Sequence, residues 1–366
     1  MRCRAEHVFR LKVIGGPNTS SKTAVPIRGA ARRRGKKKTL KGKPQKRRLR
    51  RDANVEAIAR VIYAVGGRAT SLRGPESMEP AAGVITNKET SQYWLKHNAL
   101  PPTAITNHFG NVRGANTFKK VDVLFTVAHH LPPPVENERS TAAILARDPQ
   151  CREILKGCVM YKETQYIPVR LHDIVLGAPV DTLVHPCNHV NEKTRATVVG
   201  QNIQAQGRGR AVRRGPDDPL LEVTINNIVD ATTFDAVIEW RDLAGLDERD
   251  AVLHAYGVAP VKPADMFKLA PELFTAPAQC QHVLRKLRGP PRPLLPAVTP
   301  NLLGAAAYAH PLLTAAVPRL AVVIMKYPSR APRKARVWLD ERRAEEGAAN
   351  LARKLGMPLL RWQWID

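Results

Sequence analysis

Acidic residues are in short supply in this chain. It has 32 Asp and Glu against 58 Lys and Arg in 366 residues, a formal net charge of +26 and a pI near 10.4. Such an excess points to a polyanionic partner, for which nucleic acid is the default. Aromatics are also few, at 5%, yet the hydrophobic fraction of 43% supports real cores and excludes a wholly disordered chain. There are five cysteines, and no two stand as CxxC. The odd count argues against a disulfide framework and fits free thiols in a reducing compartment. A run of about 18 apolar residues is missing, which argues against a membrane-spanning helix. The opening MRCRAEHVFRLKVIGG lacks the long apolar core of a signal peptide. Glu6 and the absence of an amphipathic pattern weigh against an organellar transit peptide, so the expected location is the cytoplasm.

The charge that is present is unevenly spread. Residues 28–51 hold fourteen Lys or Arg and no acid, among them Arg32, Arg33, Arg34, Lys36, Lys37, Lys38, Arg47 and Arg48. A run of this kind repels itself and buries nothing. Residues 1–52, including the strand-like HVFRLKVIGG, are therefore expected to form a disordered basic extension. Its sharper reading is a phosphate-binding arm whose affinity falls with salt.

Past this arm, hydrophobic periodicity alternates between helix and strand. NVEAIARVIYAV carries a helical stripe that Gly66 and Gly67 are expected to stop. GVIT (83–86) reads as a buried strand, NKETSQYWLKH as a helix, AITNHFGNVRGANTF as a loop and VDVLFTVAHHL as a strand. A helix over TAAILARDPQCREILKG, a hairpin over residues 159–186 and a helix over HVNEKTRATVVGQNIQAQ follow, then a strand at LLEVTINNIV. Alternation of this sort predicts an α/β domain over 53–244 with a mainly parallel sheet. Residues 245–366 change texture: proline-rich stretches separate short helices, and RLAVVIMKY, ARVWLDE and LLRWQWID read as strands around the helix EEGAANLARKLGM. They predict a small α+β module.

Three segments carry chemistry in order: GVITNKET (83–90), HFGNVRGANTFKKVDVLFTVAHHLPPP (108–134) and QAQGRGRAVRR (204–214). Together they resemble the second RecA-like motor domain, with its tail, of superfamily 2-type helicase or primase-helicase proteins of phages and bacterial mobile elements. The resemblance covers residues 54–245 and, more weakly, the tail from 323 to 357. It implies that Arg208 and Arg210 face nucleotide phosphates as arginine fingers, with Gln204 and Gly207 in the same nucleotide-binding string. It also implies that Arg113 and Asn116 lie near the nucleic-acid track or the cleft. Arginine suits the phosphate role because its planar fork holds phosphate oxygens bidentately and stabilises charge on a transferring phosphoryl group. Many helicases carry QxxGRxxR, and two registers remain open. One begins at Gln204; the other begins at Gln206 and places Gly209, Arg210 and Arg213 in the pattern. The competing reading makes these arginines mere decoration of an exposed helix end.

A first motor domain would supply the phosphate loop and the Mg²⁺ carboxylates. GPNTSSKT (16–23) is a poor substitute, because Ser21 stands where Gly lets backbone wrap a phosphate. The carboxylates of VWLDE (337–341) come after the arginine motif, in the wrong order. The resemblance therefore implies ATP and Mg²⁺ only if a first motor domain acts in trans, and a truncated product without ATPase activity of its own. The expected partners are nucleic acid, DNA before RNA, and a separate chain carrying that domain. The alternative is a non-enzymatic nucleic-acid-binding protein acting mainly through its arm. His185, Cys187 and His189 match no common zinc spacing, and His185-Pro186 reads as a turn. No metal site is expected.

Overall fold

A computed structural model describes residues 7–15, 43–74, 77, 79–111, 116–128, 134–145, 160–210, 213–243, 245–274, 276–287, 289–295, 302–327 and 330–365. In chain order the elements are β1 (Val8–Ile14), α1 (Lys43–Arg73), β2 (Ala82–Thr86), α2 (Lys88–His97), β3 (Ala104–His108), β4 (Val123–Val127), α3 (Pro134–Ile144), β5 (Tyr161–Leu171), β6 (Ile174–Val184) and α4 (Asn188–Gln206). They continue with β7 (Leu220–Ile225), β8 (Ala236–Glu239), α5 (Trp240–Leu243), α6 (Glu248–Tyr256), β9 (Val258–Pro260), α7 (Pro263–Leu269), α8 (Pro277–Lys286), β10 (Pro318–Tyr327), β11 (Arg330–Asp340), α9 (Ala344–Lys354) and β12 (Leu359–Trp364). No helix among the described residues is long and apolar enough to cross a membrane.

Six strands form one sheet in the order β3-β2-β4-β7-β1-β8, and every pairing in it is parallel. The chain is thus α/β, as its alternation predicts. The strand expected over HVFRLKVIGG forms, but it lies inside this sheet, with Lys12 opposite Thr224 and Leu11 opposite Ala236. The expectation that residues 1–52 are a disordered extension is corrected for Val8–Ile14 and for the start of α1, which takes in Arg47 and Arg48. Arg32, Arg33, Arg34, Lys36, Lys37, Lys38 and the GPNTSSKT segment lie outside the described residues.

Side chains alternate across the sheet, so each strand serves two faces. Leu11, Val13, Val84, Val123, Phe125, Val127, Val223 and Ile238 point to one face, in a cluster with α1, α6 and the C-terminal strands. Here α1 runs straight through Gly66 and Gly67, where a stop was expected. A Cβ on Gly66 would stand 2.9 Å from Ala82 Cβ, and one on Gly67 would stand 2.6 Å from Ala255 Cβ. These glycines let α1 approach β2 and α6; they are contact points rather than terminators. AITNH, read as loop, is the edge strand β3, parallel to β2. Its five residues are all half-buried, which blurs the alternation that marks a strand.

The second face carries α4. Its apolar part gathers Val8, Ile85, Phe118, Leu124, Ala205 and Leu220. Between β7 and β1 the same face turns polar, through Arg10 beside Glu222 and Lys12 beside Thr224. Hairpin β5–β6, expected from its pattern, packs Ile167, Val169, Ala178 and Val180 against Phe234 and Val237.

The C-terminal strands form an antiparallel sheet in the order β12-β10-β11-β9. It joins the first face through α6, whose Asp247–Asp250 capping box fixes its start. Gly257, with φ +71°, ends α6, and its carbonyl lies where a Cβ on Gly347 would come within 2.4 Å. Arg343 donates to the carbonyls of His254 and Ala255, locking α9 to the end of α6.

Candidate functional site

Helix α4 begins at the turn His185-Pro186-Cys187. The His185 ring accepts from Cys187 N at 3.0 Å through Nδ1 and meets Glu138 Oε1 at 3.2 Å through Nε2. Both ring nitrogens are engaged and His189 is exposed, so the alternate His-Cys-His set does not converge. The inward stripe of α4 is Val190, Val198, Asn202, Ala205 and Gln206, at helical spacing. Gln204 stands on the exposed side, away from the sheet.

Asn202 and Gln206 meet the polar part of the sheet. Gln206 Nε2 donates to Thr224 Oγ1 at 3.3 Å, and Thr232 Oγ1 donates to Gln206 Oε1 at 3.1 Å. Asn202 Nδ2 donates to Asp230 Oδ2 at 2.5 Å, and Asp230 Oδ1 accepts from Thr232 N at 2.8 Å. Asn226 Nδ2 donates to Ala128 O, at the positive-φ end of β4, and lies 3.4 Å from Asn202 Oδ1. Lys12 Nζ donates to Asn226 Oδ1 at 2.7 Å and to Ile228 O at 2.8 Å, with the Phe234 ring 5.1 Å away. Burial pushes the Lys12 ammonium down to about 7, against a smaller upward pull from Asp230. A buried network satisfied in this way fixes one arrangement of the loop after β7 against α4. Nothing in the motif string announces it. Its only sequence trace is Lys12 on the polar side of β1 and the pair Asn226-Asn227 at the end of β7.

The end of α4 comes down on the amino ends of β4 and β7. Gly209 is buried where an added Cβ would lie 2.5 Å from Leu220 Cδ2 and 3.4 Å from Leu124 Cδ2, so a side chain there would lift the turn off the sheet. Arg214 is buried and structural: it donates to Gly209 O at 3.0 Å and Val121 O at 2.8 Å, and it pairs with Asp218 at 2.5 Å. A 3-10 turn, Gly207–Gly209, follows α4, and Arg210 closes it in the left-handed region with φ 52° and ψ 43°. Such a conformation is uncommon for a residue with a Cβ and marks a constrained position.

Arg210 Nη2 donates to Asn116 Oδ1 at 2.5 Å, so the structure brings together two of the sequence candidates. Arg113 lies outside the described residues. Arg208 is half-buried, and its Nε is buried without a hydrogen-bond partner. Neither Arg208 nor Arg210 has an acidic partner among the described residues, unlike Arg214. Gly207, by contrast, has open space around its Cα. The turn therefore presents two uncompensated guanidinium groups on a rigid base, an arrangement suited to an anion with several oxygens. The opposite, carboxyl edge of the sheet holds Thr86, whose buried Oγ1 has no partner, and Asn87, whose side chain caps α2 by accepting from Thr90 N at 2.8 Å. No protein-family model, curated protein or solved structure matches the chain.

Proposed function

We propose that the six-stranded domain is a RecA-like second motor domain and that the chain is a nucleic-acid-binding, helicase-related protein. The observation that carries this reading is the turn after α4. Of the two registers, the one from Gln206 has a buried, hydrogen-bonded glutamine, then Gly209 packed too closely for any side chain, then Arg210 without an acidic partner. A string that must dock on a sheet and present cations needs that order. The register from Gln204 would put an exposed glutamine first and Gly207, where space is open, in the packed place.

In this role Arg210 would take a phosphate oxygen through its free N–H groups while Asn116 holds the guanidinium in place. Arg208, with its orphaned Nε, would supply the second cation. The orphaned donor and the absence of acidic partners are what fit these residues to a phosphate group. ATP and Mg²⁺ supply the transferring phosphoryl group and its charge neutralisation only alongside a phosphate-cradling loop and carboxylates from a first motor domain. Residues 1–366 by themselves are expected to bind without turnover. DNA is the expected nucleic acid.

The second reading is a binding protein that works through its basic arm; the fourteen cations of residues 28–51 favour it. Oligonucleotide binding and oligonucleotide-stimulated phosphate release, measured side by side on the full chain, test the proposal. Binding without release is expected. Turnover that Arg210→Ala abolishes would overturn the incomplete-motor reading. Binding that vanishes when Arg32, Arg33, Arg34, Lys36, Lys37 and Lys38 become Ser, and that ignores Arg113→Ala and Arg210→Ala, would favour the arm. Substitution is the right tool because deleting residues 1–52 would remove β1 from the sheet.

A further inference from the structure

Registers in the C-terminal sheet sort its residues into two faces. Ala321, Val323, Met325, Ala335, Val337 and Leu339 point inward and are buried in the shared core. The other face has an apolar column on β10, made of Leu320, Val322 and Ile324. Each member of that column is flanked in register. Ile324 lies between Lys334 on β11 and Arg361 on β12, Val322 lies between Arg336 and Gln363, and Leu320 lies beside Trp338. Lys334, Arg336, Arg361 and Gln363 are exposed and Trp338 is half-buried. None of the three cations has an ion-pair partner among the described residues. Asp340, the acid of the same parity, is buried and occupied by Val317 N at 3.0 Å and by Arg342 N.

Strand geometry sets the spacings. Lys334 and Arg336 are about 7 Å apart along β11, and Lys334 and Arg361 face each other across β10 at about 10 Å. The face therefore carries a short apolar column in which Leu320 and Val322 are half-buried and Ile324 is buried, with an aromatic ring at one end, Lys334 and Arg336 on one side and Arg361 on the other. A protein surface that offers stacking and apolar contact in the middle and positive charge at the rims complements a single nucleic-acid strand, whose bases are apolar on their faces and whose phosphates run along the edge. Lys334, Arg336 and Arg361 stand on one sheet face without an ion-pair partner among the described residues, whereas Arg333 pairs with Asp265 and Arg343 with Glu346.

We propose that this face of β10, β11 and β12 binds single-stranded nucleic acid, with Lys334, Arg336 and Arg361 on phosphates and Trp338 stacking on a base. The proposal rests on the nucleic-acid-binding reading above and assigns it a second surface, separate from both the basic arm and the Arg210 turn. The test uses the full chain and a fluorescently labelled oligothymidylate, with anisotropy measured over a range of salt concentrations. The Lys334→Gln/Arg336→Gln/Arg361→Gln variant is expected to bind about tenfold more weakly, with a slope of log affinity against log salt shallower by about two. A charge-preserving Lys334→Arg/Arg336→Lys/Arg361→Lys variant is expected to bind as the parent does, which separates lost charge from a damaged fold. If the parent binds and the Gln variant binds equally well with the same slope, the face is not a binding surface, while the nucleic-acid reading stands. If the parent does not bind the strand at all, both fail.

Discussion

Arg210 and Asn116, 94 residues apart in sequence, meet at 2.5 Å where the turn after α4 reaches the loop before β4. The partner is neutral, so the bond orients the guanidinium and leaves its charge available. A hydrogen bond at an exposed site contributes about 0.5–1 kcal/mol. A double-mutant cycle of Arg210→Ala and Asn116→Ala, followed by urea unfolding, is expected to give a coupling near that size. Strictly additive effects would mean the two side chains do not touch.

Gly209 and Gly207 stand two residues apart and differ in what surrounds them. Gly209→Ala drives a methyl group towards Leu220 and Leu124 and is expected to cost about 1–3 kcal/mol, lowering Tm by several degrees. Gly207→Ala meets nothing within 4 Å and is expected to be neutral or to stabilise by a few tenths of a kcal/mol. Equal melting temperatures for the two variants would contradict the packing described for the motif.

Lys12 couples the sheet to pH. Its folded value is lowered to about 7 from an ordinary 10.5, because burial disfavours the ammonium. Between these values the unfolded chain holds the proton more tightly, so stability gains as pH rises from 7 to 10.5 and the deficit is complete below 7. Urea midpoints of the parent and of Lys12→Met are expected to diverge across pH 7–10, the parent gaining relative to the variant. Parallel curves would show that Lys12 keeps an ordinary affinity for its proton.

Much of the architecture was legible because strands such as GVIT and VLFTV are nearly continuous apolar runs and helices such as α2 and α9 carry their period openly. β1 was harder. Arg10 and Lys12 alternate with Phe9, Leu11 and Val13, a pattern that reads as a half-exposed strand in a basic arm. In the fold, the polar side of β1 is covered by α4 and the loop after β7, and Glu222, Asn226 and Ile228 satisfy the two cations. Partners more than 200 residues away cannot be read from a local window. Gly66 and Gly67 misled for a related reason: a glycine that ends a helix and one that lets a neighbour approach look the same until Ala82 and Ala255 are in place. In the motif, Gln204 and Gln206 were indistinguishable as letters. Helical phase separates them, sending Gln206 inward to Thr224 and Thr232 and Gln204 outward.

The role given to the turn after α4 is tested most directly by titrating the full chain with a fluorescent trinitrophenyl ATP analogue in the presence of Mg²⁺. The parent is expected to bind it weakly but saturably. Arg208→Ala/Arg210→Ala is expected to bind at least tenfold more weakly, with a melting temperature lowered by no more than loss of the Arg210–Asn116 bond accounts for, because among the described residues these side chains hold only Asn116. Equal binding by the parent and the double variant would contradict the assignment of Arg208 and Arg210 to a phosphate group.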